Sequence, residues 1–204
     1  MLEQYYEKGK IEAGIDEAGR GCLFGPVFVS SVVWLDEDPN KEKEFILKDS
    51  KKCSEKKRIL LRKYIEENAI AYSVVQISEK EIDKTNILKA TMKGMHQCID
   101  EIRKQLEIDT ILVDGNQFDM YMDDNFECIN HECVIDGDNI YKSIAAASIL
   151  AKTYRDEYIL NLVKEYPQLS MYAIQNNKGY GTKAHMEGIK ENGIDGVSNN
   201  QYIY

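Results

Sequence analysis

A chain of 204 residues that is 43% hydrophobic and 30% charged, with 13 Gly and only 3 Pro, has apolar material for one sizeable core and is not the composition of a disordered or fibrous protein. No apolar run approaches the ~20 residues of a membrane helix, "MLEQYYEKGK" lacks the apolar centre of a secretory signal, and five cysteines without a C-x-x-C pattern argue against a disulfide framework. The expectation is a cytoplasmic, non-membrane protein forming one domain over residues 1–204.

The formal charge of −9 disfavours nucleic acid on average, but the average conceals patterning. Between Lys48 and Lys63, eight Lys/Arg face two acids, a local charge of +6 that leaves −15 for the rest. Such a run is either a solvated helix face or a phosphate-contacting patch.

In chain order, residues 10–17 and 26–35 are rich in β-branched residues and separated by glycines and a proline, which predicts two strands. Ser54 can cap a helix whose buried stripe is Ile59, Leu60, Leu61, Tyr64 and Ile65, with the lysines facing water. Residues 69–77 read as a third strand. Ser78 and Glu81 match a capping box, and Leu88, Met92, Met95, Ile99, Ile102 and Leu106 recur at helical spacing. Residues 110–114 and 132–136 predict two more strands, 141–166 a long helix, and Thr182 to Gly193 another. The order describes an α/β protein, a mixed sheet with helices on its faces and a small C-terminal helical portion over about 165–204.

Four acids stand out by position. Asp16 and Glu17 close the first strand, Asp114 ends "TILVD" before Gly115, and Asp138 follows "VIDG" before the long helix. Each alone is an ordinary turn former. Gathered at neighbouring strand ends, they would make an anionic pocket whose oxygen-only donors suit Mg²⁺ or Mn²⁺. Successive side chains on a strand point to opposite faces, so Asp16 and Glu17 can share a site only if the strand finishes there, as the Gly19–Gly21 turn suggests. That turn is neither a dinucleotide fingerprint nor a P-loop; with Arg20 inside it, it suits a ligand bearing phosphates or hydroxyls. Cys128, His131 and Cys133 are possible zinc ligands without a second Cys/His pair nearby.

Five segments carry a resemblance: "GIDEAGRG" (14–21), "DSK" (49–51), "ILVDG" (111–115), "GDNIYKSIAAASILAKTYRD" (137–156) and "NKGYGTKAH" (177–185). In that order they resemble the type 2 ribonucleases H, bacterial ribonuclease HII in particular. The resemblance implies a ribonuclease H-like fold and an endonuclease that cuts the RNA strand of RNA–DNA hybrids and incises 5′ of single ribonucleotides in duplex DNA, leaving a 3′-hydroxyl and a 5′-phosphate. It implies that Asp16, Glu17, Asp114 and Asp138 are the catalytic ligands of two divalent cations, Mn²⁺ or Mg²⁺. By the same resemblance Gly19, Arg20 and Gly21 read the ribose 2′-OH, Tyr180 stacks under the following deoxy sugar, and Lys51 contacts a phosphate. The expected partners are RNA–DNA hybrid and ribonucleotide-containing duplex DNA, with no obligate protein partner and a monomeric state. The missing N-terminal extension favours ribonuclease HII over ribonuclease HIII.

Cys22 stands where the family usually has Pro, Phe24 where it has a small residue, and Asp136 where Lys is frequent, changes that could alter loop stiffness and metal affinity. Ser148, Lys152 and Arg155 share one face of the long helix, either as surface residues or as support beside the acids, and Asp156 reads as a structural ion-pair partner. The alternatives are another two-metal nuclease of the same fold, or a nucleic-acid-binding protein that has lost catalysis.

Overall fold

The computed structural model describes residues 2–34, 53–123 and 125–193. Five strands form one mixed sheet: β1 (Glu12–Ala18), β2 (Val27–Val33), β3 (Ala71–Ile77), β4 (Thr110–Asp114) and β5 (Asn130–Val134), in the order β3-β2-β1-β4-β5. β1 to β3 form an antiparallel meander, while β4 and β5 join the other edge of β1 in parallel. β1 is therefore the central strand, and its register places Ile15 opposite both Ser31 and Val113.

Helices cover both faces. α1 (Glu55–Asn68) and α4 (Lys142–Glu165) lie on one, α3 (Ile87–Arg103) on the other, and the short α2 (Glu79–Lys84) leads into α3. Ala13, Ile15, Val29 and Val113 pack with Met95, Ile99 and Ile102 of α3, whereas Val32 packs with Leu61 and Ile65 of α1 and Ala146 and Ile149 of α4. A third cluster joins Phe24 and Ile159 to Leu169, Tyr172 and Ile174 in the C-terminal portion, a 3₁₀ segment (Pro167–Tyr172), α5 (Ile174–Asn177) and α6 (Lys183–Asn192). Phe24 thus anchors the loop after β1 to that portion.

α4 approaches β1 without a gap. A Cβ on Gly14 would overlap the backbone of Ser143 and Ile144, so only glycine allows this contact. Four predicted details differ. Ile59 and Leu60 are 58% and 60% exposed, because α1 meets its neighbours along the narrower seam of Leu61 and Ile65. The helix expected from Ser78 is two helices: Ser78 caps α2, and Asn86, accepting from Lys89 N–H at 2.9 Å, caps α3. Glu81 does not return the capping-box bond within the described contacts but pairs with Lys93 Nζ at 2.8 Å. β5 lies two residues earlier than expected, in register with β4, and the chain leaves it through Asp136 at φ 56°, a left-handed conformation that Asp tolerates.

Candidate active site

Parallel pairing brings the carboxyl ends of β1 and β4 together. One step past the Ile15–Val113 pair stand Asp16 and Asp114. β5 ends beside them, and the following 3₁₀ turn (Gly137–Asn139) folds back so that Gly137 N–H donates to Asp114 Oδ1 at 2.7 Å. Asp138, the next residue, is 2% exposed. A Cβ on Gly137 would press on Ile144 and on that Asp114 oxygen, so the glycine permits the fold-back.

Asp16 is buried, and its carboxyl is held well above the usual carboxylate range by that burial and by the neighbouring Glu17 and Asp114 charges; hydrogen bonds from the Ser148 side chain and the Glu17 N–H act in the opposite sense. β1 continues to Ala18, so the strand does not finish at Glu17 as expected, but the Glu17 carboxylate still lies close enough to Asp16 to raise its proton affinity. Asp16 meets Ser148 of α4, and Glu17 meets Arg20 at 3.5 Å. Among the described residues no three Asp, Glu, His or Cys side chains close on one ion-sized point. Asp16 lies beside Glu17 and Asp114 at the sheet end, and the Gly137–Asp114 hydrogen bond brings the turn that carries Asp138 to the same end, so that the acids form a row there. Their all-oxygen donor set fits a hard divalent cation, which would also offset the neighbouring Glu17 and Asp114 charges that, after burial, raise the affinity of Asp16 for a proton.

Beside this row lies a second assembly. The turn at Gly19–Gly21 begins with φ 103° at Gly19, where a Cβ would overlap Arg155 Nε, whereas a Cβ on Gly21 would meet nothing within 4 Å. Arg20 reaches across to Gln117 Oε1 at 3.2 Å as well as to Glu17. Cys22 is bridged to Tyr180 in antiparallel fashion, and Leu23 N–H donates to Gly179 O at 2.9 Å. Tyr180 keeps 39% of its surface exposed, while Lys152 Nζ lies 5.3 Å from its ring centre. Burial and the Cys22 thiol push its hydroxyl up to about 12.

Of the predicted site residues, Asp16, Glu17, Asp114 and Asp138 are therefore brought to one end of the sheet, and Gly19, Arg20, Gly21 and Tyr180 are joined beside it; Lys51 lies outside the described residues. Ser148, Lys152 and Arg155, which the sequence left between two readings, all face this region: Ser148 on Asp16, Lys152 and Arg155 on Tyr180. Asp156 pairs with Lys152 Nζ at 2.8 Å. The described part of the basic run divides. Arg62 is held by Glu66 and Glu157 and stacks on Tyr154, whereas Lys56, Lys57 and Lys63 are exposed on α1. Cys128 is exposed, and His131 packs on the Phe118 ring.

A mixed five-stranded sheet with helices on both faces and carboxylates at the ends of its central strands defines a ribonuclease H-like enzyme. Structures of that class align with the chain over nearly its whole length: ribonuclease HII of Archaeoglobus fulgidus, solved in complex with PCNA, matches with a TM-score of 0.71 and 25% identity over 95% of this chain and 96% of that one. Bst-RNase HIII, solved with Mn²⁺, matches with a TM-score of 0.66 and 20% identity over 90% of this chain and 63% of that one. The family model described as ribonuclease HII matches residues 13–202, and the Parabacteroides distasonis ribonuclease HII is 50% identical over 194 residues, covering 95% of this chain and 90% of its own. The chain belongs to the ribonuclease HII family and is an endonuclease of the ribonuclease H class. Among the described residues no helix is long and apolar enough to cross a membrane.

Proposed function

We propose that this enzyme hydrolyses the RNA strand of RNA–DNA hybrids and incises duplex DNA 5′ of single ribonucleotides, leaving a 3′-hydroxyl and a 5′-phosphate, and so removes ribonucleotides during replication and repair. It acts in the cytoplasm as a monomer, through one catalytic domain spanning residues 1–204. The observation that carries the reading is the backbone pairing of the turn after β1 with the segment bearing Tyr180, directly beside the acid row.

Asp16, Glu17, Asp114 and Asp138 would hold two divalent cations, Mn²⁺ or Mg²⁺. Such ions, when bound, would supply positive charge for the displacement at phosphorus. Ser148 and the Gly137 N–H fix the Asp16 and Asp114 carboxylates in place. A polypeptide tells RNA from DNA at the 2′-OH. The backbone of Gly19, Arg20 and Gly21 reads that hydroxyl, and the space free of protein around Gly21 lets the ribose come close. The exposed Tyr180 ring lies under the next sugar and accepts only deoxyribose there. Arg20, Lys51, Lys56 and Lys57 meet phosphates, which accounts for a basic patch on an acidic protein.

The test is incision of a DNA duplex with one embedded ribonucleotide, in Mn²⁺, Mg²⁺ or chelator, beside an all-DNA duplex and the Asp16→Asn enzyme. Metal-dependent incision 5′ of the ribonucleotide, absent from both controls, is expected. Cutting of the all-DNA duplex would instead identify a general nuclease of this fold, and an intact ribonucleotide substrate would overturn the reading.

A further inference from the structure

Arg155 heads the fully buried side chains in size among the described residues, yet it lies in the middle of a helix, where a charged residue ordinarily faces water. Its guanidinium donates to three main-chain carbonyls: Nε to Pro26 at 3.0 Å, Nη2 to Phe24 at 2.9 Å and Nη1 to Lys178 at 2.7 Å. Two of these acceptors close the loop that begins at Gly19. The third lies two residues before Tyr180. One planar fork therefore fastens together two segments more than 150 residues apart in the chain.

The surroundings are cut to fit that fork. Gly19, Gly25 and Gly179 all have φ between 82° and 103°. A Cβ on Gly19 would overlap Nε, one on Gly179 would lie 3.3 Å from Nη2 and 2.5 Å from the Phe24 carbonyl oxygen, and one on Gly25 would lie 3.7 Å from Nη2. The guanidinium carbon is 5.8 Å from the Tyr180 ring centre. Burying a cation for the sake of carbonyl groups that water could satisfy is a costly way to stabilise a loop. A rigid five-donor fork does something that water cannot: it sets the distance and angle between its acceptors.

We infer that Arg155 is a positioning residue that holds the Gly19–Gly21 turn and Tyr180 at a fixed separation, so that the ribose at one and the deoxyribose at the other are tested together. The inference rests on the function proposed above. Arg155 touches neither substrate nor metal in this role; it makes the two selectivity elements one rigid reader of the RNA–DNA junction.

Arg155→Lys keeps the charge and removes the fork. The substrates are a duplex with one ribonucleotide and a duplex with a tract of four, scored for the ratio of incision at the last ribonucleotide to incision within the tract. The lysine enzyme is expected to keep its Mn²⁺-dependent rise in Tm, to lose incision of the single ribonucleotide mainly in kcat, and to lower the junction ratio about tenfold, since a misplacement of about 1 Å is enough for such losses. An unchanged ratio, or an equal loss at both positions, would make Arg155 a fold anchor only and overturn the inference. Should the lysine enzyme not fold, Gly179→Ala separates the same two segments with Arg155 intact; a wild-type junction ratio in that variant overturns the inference too. The wild type is the control: if it leaves the single ribonucleotide whole, the proposed function fails and the clamp has no selectivity to position, whereas wild-type incision with unaltered variants refutes the clamp alone.

Discussion

Gly21 and Asp16 make opposite predictions for stability and for chemistry. A methyl group at Gly21 meets no protein atom and the residue has no positive φ, so Gly21→Ala should melt within about 0.5 kcal/mol of wild type. If the free space is where the ribose sits, the same variant should lose incision by about a hundredfold, measured as kcat/KM on the single-ribonucleotide duplex, while its Mn²⁺-dependent Tm shift persists. Asp16 is the converse. Its buried charge is opposed by Glu17 and Asp114, so Asp16→Asn in chelator should raise Tm by about 2–4 °C and still reduce incision by about 10²–10³. The sign follows from linkage. The folded state binds the Asp16 proton more tightly than the unfolded chain does, so this group's contribution declines as pH rises from the usual carboxylate range through the raised value, and the full penalty stands above it. A chelated wild type that melts at or above the variant at neutral pH would refute this account.

Among the elements, α1 shows the clearest contrast, because adjacent leucines have opposite surroundings. Leu61→Ala removes a fully buried side chain from the seam with α4 and should cost about 2–5 kcal/mol in denaturant unfolding, while Leu60→Ala, 60% exposed, should stay within about 0.5 kcal/mol. The outer face of the same helix carries Lys56 and Lys57. Changing both to Gln should weaken duplex binding whatever the sequence and flatten its salt dependence by about one unit of slope per lysine, with the incision position unmoved. The sequence foretold α1 but not its seam: Ile59, Leu60, Leu61, Tyr64 and Ile65 look equally apolar, and only the placement of α4 selects two of them for full burial. The break between α2 and α3 had a local signal, a second cap at Asn86, masked by the stronger capping box before it. Asp138 comes to the sheet end through the turn that Gly137 permits, whereas the positions of Asp16, Glu17 and Asp114 at the ends of β1 and β4 were legible because strand ends can be seen locally. Arg155 was not, because its three acceptors are assembled only by the tertiary fold.

For the molecule as a whole, element order follows from hydrophobic periodicity, whereas the arrangement β3-β2-β1-β4-β5 depends on pairings between strands far apart in sequence. Cations bound at the proposed acid row must stabilise the folded state by mass action. Wild-type enzyme should therefore gain Tm on adding millimolar Mn²⁺, Asp114→Asn should gain less, and removal of the ion by chelator should reverse the gain; identical shifts in both proteins would place the ion elsewhere. The central position of β1 has a consequence for synthesis on the ribosome. β1 and β2 can pair as soon as they emerge, but the other edge of β1 waits for Thr110–Asp114, and Asp16 waits longer for Ser148 of α4. Parallel closure across so long an intervening chain is slow compared with hairpin formation. The first of the carboxylates proposed to hold the cations are thus among the last to reach their final surroundings, and a nascent chain shorter than about three quarters of the protein lacks the packing that Ser148 gives Asp16.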